Sequence, residues 1–166
     1  MIYTGIGSRE TPEQILATMI LIGKYLAEKG WVLRSGGAKG ADSAFEEGCD
    51  SVGGLKEIYI PWQGFNGRTG IVVATPEAEV MASKYHPAWD KCSSGAKKLH
   101  TRNIPQVLGE DLQTPADMVV CWTVGGKRGG GTGQALRVAQ DYNIPIFDLA
   151  LLEALFELKL FIKERK

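Results

Sequence analysis

The run Val32-Leu33-Arg34-Ser35-Gly36-Gly37-Ala38-Lys39-Gly40-Ala41-Asp42 restricts this chain more than any other stretch. Trp31 to Leu33 reads as a short buried strand. The small residues from Ser35 to Ala41 form a turn into a helix that continues through Ala44, Phe45 and Gly48. With so few side chains over the backbone, the turn's N–H groups and the helix N-terminus face open space, as they do where a phosphate is held. Lys39 adds a cation, and Asp42 either caps the helix or meets a ribose hydroxyl. The same residues also suit a plain tight turn that needs glycine only for its dihedrals.

The chain before and after this turn repeats one alternation. Ile2–Gly7 starts as a strand and turns at Gly5 and Gly7, followed by Ser8 and Arg9. A helix is expected from an N-cap at Thr11, with Pro12 in its first turn, to about Lys29, where Gly30 ends it. Lys56–Ile60 reads as a third strand. Strand, helix, strand, helix, strand with short connections predicts an α/β fold, Rossmann-like and doubly wound, with a mainly parallel sheet and helices on both faces. Ligands of such sheets bind beyond the carboxyl ends of the strands, where strand order reverses.

Pro61–Thr75 is a long loop rich in glycine and aromatic residues. Trp62 or Phe65 can stack on a base or plug a core edge. A helix from about Pro76 to Tyr85 precedes a break at His86-Pro87-Ala88-Trp89-Asp90, and Ser94 opens the next helix. That helix carries Leu99-His100-Thr101-Arg102-Asn103-Ile104, with Val107 and Leu108 on its apolar side. Arg102 and Asn103 suit a phosphate and a base edge, or a solvated helix face. His100 alone fits a surface or core role better than catalysis.

Asp117–Trp122 is a strand apolar enough to be buried on both faces. A second glycine-rich stretch follows, Gly125 to Gln134, containing Lys127, Arg128, Gly130, Gly131, Thr132 and Gly133, and leads into a helix. Two strand, glycine-turn and helix-start units on one parallel sheet favour a ligand that carries phosphate. The last strand is expected over Tyr142–Asp148. The terminal segment, Leu149 to Lys166, reads as a helix apolar on more than one side, a subunit interface or a cover for the sheet edge.

Composition narrows the field. The 166 residues read as one domain, 1–166, with 19 Lys plus Arg against 19 Asp plus Glu, which lacks the footprint of a dedicated duplex-DNA binder. Cys49, Cys92 and Cys121 are odd in number and widely spaced, arguing against a disulfide framework or a zinc site. No basic-then-apolar leader and no membrane-length apolar run is present, so a cytoplasmic protein is expected, with no membrane partner. No resident cofactor, metal or catalytic residue is expected.

Gly7-Ser8-Arg9, then Ser35–Asp42 with Ala44 and Gly48, resembles the Rossmann-like core of the DNA-processing protein A family. Arg102-Asn103 looks like that family's arginine-asparagine motif. Gly129–Gly133 is similar to the second glycine motif of the wider superfamily, which includes the Lonely-guy phosphoribohydrolases and nucleotide-sensing domains of bacterial immunity proteins. The resemblance runs from about Ile2 to Asp148 and is nearest to short, single-domain forms carried by bacteriophages. It implies a homodimer or higher homo-oligomer with a pocket for nucleotides, in which Ser8 and Arg9 touch phosphate, Ser35, Gly36, Gly37, Ala38 and Lys39 form the cradle, and Asp42 steadies the turn.

The helical and winged-helix additions of full-length DNA-processing protein A are not in this sequence. The phosphoribohydrolases carry a glutamate near the position of Gln134, and an amide cannot serve as a general base. Glu46 and Glu47, the available substitutes, sit naturally on a solvated helix face. The expected function is therefore non-catalytic binding of a nucleotide, a nucleotide-derived signal or a short single-stranded DNA; sequestering a host immune nucleotide signal would suit a phage protein. A single-stranded-DNA recombination mediator and a nucleoside 5′-monophosphate phosphoribohydrolase are the alternatives.

Overall fold

The computed structural model describes residues 1–165. The elements are β1 (Ile2–Gly5), α1 (Glu13–Glu28), β2 (Val32–Ser35), α2 (Ala41–Asp50), β3 (Lys56–Ile58), α3 (Pro76–Lys84), α4 (Ser94–Leu108), β4 (Met118–Cys121), α5 (Gly130–Asp141), β5 (Ile146–Asp148) and α6 (Ala154–Glu164). The five strands form one sheet in the order β3-β2-β1-β4-β5, and every pairing is parallel. The fold is the expected Rossmann-like, doubly wound α/β architecture. Strand order reverses between β1 and β4, so the crevice that such sheets offer to ligands opens at the carboxyl ends of these two strands.

Side-chain alternation along the buried strands builds a core on each face. Tyr3, Leu33, Met118 and Val120 join Met19, Leu26, Phe45, Leu158 and Ile162 on the side of α1, α2 and α6. Val119 and Cys121 point the other way, onto Ala78 and Ala82 of α3, Ile104 and Leu108 of α4 and Leu136 of α5. No helix among the described residues is long and apolar enough to cross a membrane.

Several element boundaries differ from the sequence expectation. Pro12, with φ −61° and ψ 150°, occupies the N-cap of α1, not its first turn, and no side chain caps that end. Thr11 is not the cap because its hydroxyl donates to the Ser8 carbonyl at 2.6 Å, closing the turn after β1. β3 stops at Ile58, where the Pro61–Thr75 loop folds back and Ile71 pairs in parallel with Tyr59. The last strand shortens to Ile146–Asp148, since α5 runs to Asp141. The terminal helix starts only at Ala154, after a turn in which Leu151 N–H donates to the Asp148 carbonyl at 2.9 Å. Its Ala154, Leu158 and Ile162 are buried, whereas Leu155, Phe156 and Leu160 are exposed.

Candidate functional site

Three turns meet above the switch point around an open cavity of about 370 Å³. Gly7, Ser8 and Arg9 follow β1, Ala38 and Asp42 flank the start of α2, and Gly129 to Thr132 form the start of α5. They come this close because Gly7 has no side chain. A Cβ there would lie 2.6 Å from Ala41 Cβ and 3.3 Å from the Trp122 carbonyl oxygen. The helix starts of α2 and α5 thus share one opening, where their partial positive charge favours an anion.

The fourth wall is α4, which presents Ala96, Leu99, His100, Arg102, Asn103 and Gln106 to the cavity. Leu99, Arg102, Asn103 and Gln106 are spaced i, i+3, i+4 and i+7, so a single helix face supplies them. Arg102 Nη1 donates to the Gly36 carbonyl, tying α4 to the first glycine turn. Asn103 Nδ2 donates to the Gly131 carbonyl at 3.2 Å, tying α4 to the second, and to Gln134 Oε1 at 3.0 Å. Gln134, fully buried, donates through Nε2 to the Ala82 carbonyl at 3.0 Å. One continuous set of hydrogen bonds therefore holds both turns at a fixed separation.

Asp42 is buried and accepts from Ala38 N–H at 3.2 Å, which steadies the first turn. Burial raises its pKa to about 6, against the opposing pull of the Arg102 guanidinium. Burial likewise lowers the Arg102 pKa, with Asp42 opposing. The His100 imidazole is shifted down by burial and by the neighbouring His86. Arg9 is exposed at the mouth of the cavity.

The structure brings together Gly7, Ser8, Arg9, Ala38, Asp42, Arg102, Asn103, Gly130, Gly131 and Thr132 of the residues singled out in the sequence. The others lie off the cavity lining. Ser35 is fully buried and its hydroxyl donates to the Gly5 carbonyl at 2.6 Å. Gly36 packs under Gln106 and Arg102. Gly37 faces Arg68 and Ile60, and its carbonyl accepts from Asn66 Nδ2 at 3.1 Å. Lys39 is exposed. Gly133 lets α5 pass over the Arg128 carbonyl. Trp62 stands edge-on to Phe65, away from the cavity.

Arg102 and Asn103 do not form a solvated face: α4 is buried from Thr101 to Leu108. Glu46 is not on a solvated face either, being buried and paired with Lys56 Nζ at 2.7 Å and with Arg68. Gln106 and Ala96 also line the cavity and belong to no motif in the sequence, although stepping one helical turn either way from Arg102 and Leu99 reaches them.

With this geometry in hand, comparisons with known proteins found no matching family model, no matching curated protein and no matching solved structure.

Proposed function

We propose that this protein binds the phosphate of a nucleotide or nucleotide-derived small molecule between its two glycine turns and does not turn it over. The observation that carries this reading is the convergence of the Gly7–Arg9 turn and the helix starts of α2 and α5 on one cavity beneath the exposed Arg9. Backbone amides at helix starts together with a cation are the usual means of holding a phosphate. The resemblance to the DNA-processing protein A family supports the same reading.

A small ligand fits better than a DNA strand. A strand binder needs aromatic platforms along a basic groove, and Trp62 lies outside this cavity, whose only ring among the described residues is that of His100. Binding without hydrolysis fits the state of Gln134, an amide in place of a carboxylate, whose oxygen is taken up by Asn103 and His100 and whose nitrogen donates to the Ala82 carbonyl. The exposed Leu155, Phe156 and Leu160 of α6 fit a homodimer or higher homo-oligomer.

The test is mass spectrometry of small molecules released from the purified protein, followed by thermal shifts with a nucleotide panel. A ligand of the folded state raises Tm with the logarithm of its concentration. The shift is expected to survive moderate salt and to shrink in Arg9→Ala, whose exposed side chain contributes little to folding. No shift with any nucleotide, or free base released from a nucleoside monophosphate, would overturn the proposal. A steep fall of oligonucleotide affinity with salt would move it to single-stranded DNA.

A further inference from the structure

The break between α3 and α4 does something that cysteine spacing could not reveal. His86, at its start, and Cys92, just before α4, fold back against His100, and one ligand atom from each of the three lies within 4.8 Å of the others. Cys92 Sγ is 3.7 Å from His86 Nε2 and 3.9 Å from His86 Nδ1. The two imidazoles have centroids 4.3 Å apart. We propose that His86, Cys92 and His100 form a mononuclear zinc site with three protein ligands and a fourth position open to water.

The donor set suits the ion, since thiolate and imidazole are the ligands zinc prefers, and three of them with an open position is a common arrangement. A tetrahedral zinc separates sulfur and nitrogen ligands by about 3.5 Å. The observed spacing therefore needs a contraction on the order of 1 Å, within reach of side-chain rotation.

The surroundings of His100 are prepared for a metal. Gln134 Nε2 donates to the Ala82 carbonyl, and its Oε1 accepts from Asn103, so the amide orientation is set. His100 Nδ1, 3.2 Å from that same Oε1, must then be the protonated nitrogen. The lone pair is left on Nε2, the tautomer that metal-binding histidines adopt through such an outer partner.

Cys92 has only weak interactions to lose, an S–H donated to the Ala88 carbonyl at 3.5 Å and the contact with the His86 ring, which the ion would replace with a shared bond. His86 Nδ1 accepts from Ala88 N–H at 3.1 Å, a bond that the ion would replace. Binding displaces the thiol proton to solvent, one per ion, and leaves both rings neutral. The clamp would pin the irregular Tyr85–Cys92 segment to α4.

The site can be tested with zinc and cobalt alone, apart from any nucleotide. The full chain, stripped with chelator, is titrated with Co²⁺. The expected result is saturation at one equivalent with a sulfur-to-cobalt charge-transfer band, bleached by zinc. Cys92→Ser should abolish the band and weaken zinc by more than about 100-fold, beyond the loss of an outer-shell partner, while Cys49→Ala keeps both.

Independently of any variant, zinc should slow alkylation of Cys92 in the wild-type chain and raise its Tm. A missing charge-transfer band, a band that persists in Cys92→Ser, or alkylation unaffected by zinc would overturn the site.

Discussion

Arg102 and Asn103 are sequence neighbours that hold opposite walls of the cavity. Arg102 Nε donates to Asn103 Oδ1 at 3.1 Å, while Arg102 takes the Gly36 carbonyl and Asn103 the Gly131 carbonyl. Two consecutive side chains of one helix thereby set the gap between glycine turns that follow different strands. Their role is as much to build the cavity as to meet whatever enters it.

Asn103→Ala should therefore be costly out of proportion to its size. It strips partners from Gly131, Gln134 and Arg102 together, the last two in a buried setting. A loss of about 2 kcal/mol is expected, read as a lowered urea midpoint at unchanged m-value. An unaltered midpoint would show that the bridge does not hold the turns.

Alanine at two glycines should act with opposite sign. A Cβ at Gly36 would lie 2.0 Å from Gln106 Nε2 and 2.8 Å from Arg102 Nη1, both side chains buried and Arg102 held by its bonds to Gly36 and Asn103. Gly36→Ala is expected to cost about 1–3 kcal/mol and to reduce any nucleotide-dependent Tm shift. At Gly95, in the first turn of α4, none of the described residues lies within 4 Å of an added Cβ. Gly95→Ala should stabilise by about 0.5–1 kcal/mol, and the pair of melting curves checks both.

Asp42 should leave a mark on the pH dependence of stability. With a folded pKa of about 6, it holds its proton more tightly than in the unfolded chain, where the value is about 4. Its stabilising contribution is thus complete below about pH 4 and is lost as pH rises to about 6. The loss is on the order of 3 kcal/mol. Asp42→Asn removes this slope, so the wild-type and variant urea midpoints should diverge between pH 4 and 6 and run parallel above. Parallel curves throughout would contradict the assignment.

Tyr3 offers a gain. Its ring is fully buried between Trp31 and Phe45, and its hydroxyl has no hydrogen-bond partner among the described residues. Burial accordingly drives the phenol pKa far up. Tyr3→Phe should raise stability by about 1 kcal/mol, measured as a higher Tm; a lower one would mean that the hydroxyl is satisfied in solution.

The alternation of short apolar strands with glycine-ended helices was legible without coordinates, and with it the parallel sheet and its switch point. Val119 and Val120 show why: a strand buried on both faces must be apolar at every position, a purely local requirement. Both glycine turns were legible for the same reason, since a tight strand-to-helix turn is dictated by neighbouring residues.

Tertiary structure alone decided which side chains near the site are used up by the fold. Ser35 and Trp62 look equally available for a ligand in the sequence, yet Ser35 is consumed by Gly5 across the sheet and Trp62 leans on Phe65. His86, Cys92 and His100 carry no recognisable spacing, because their meeting depends on how an irregular segment folds back on α4. Likewise, whether Arg102 and Asn103 faced water or the core was settled only when α4 docked on the sheet. Local pattern determines which elements form, whereas the contacts that make a site come from residues far apart in the chain, and only packing selects those.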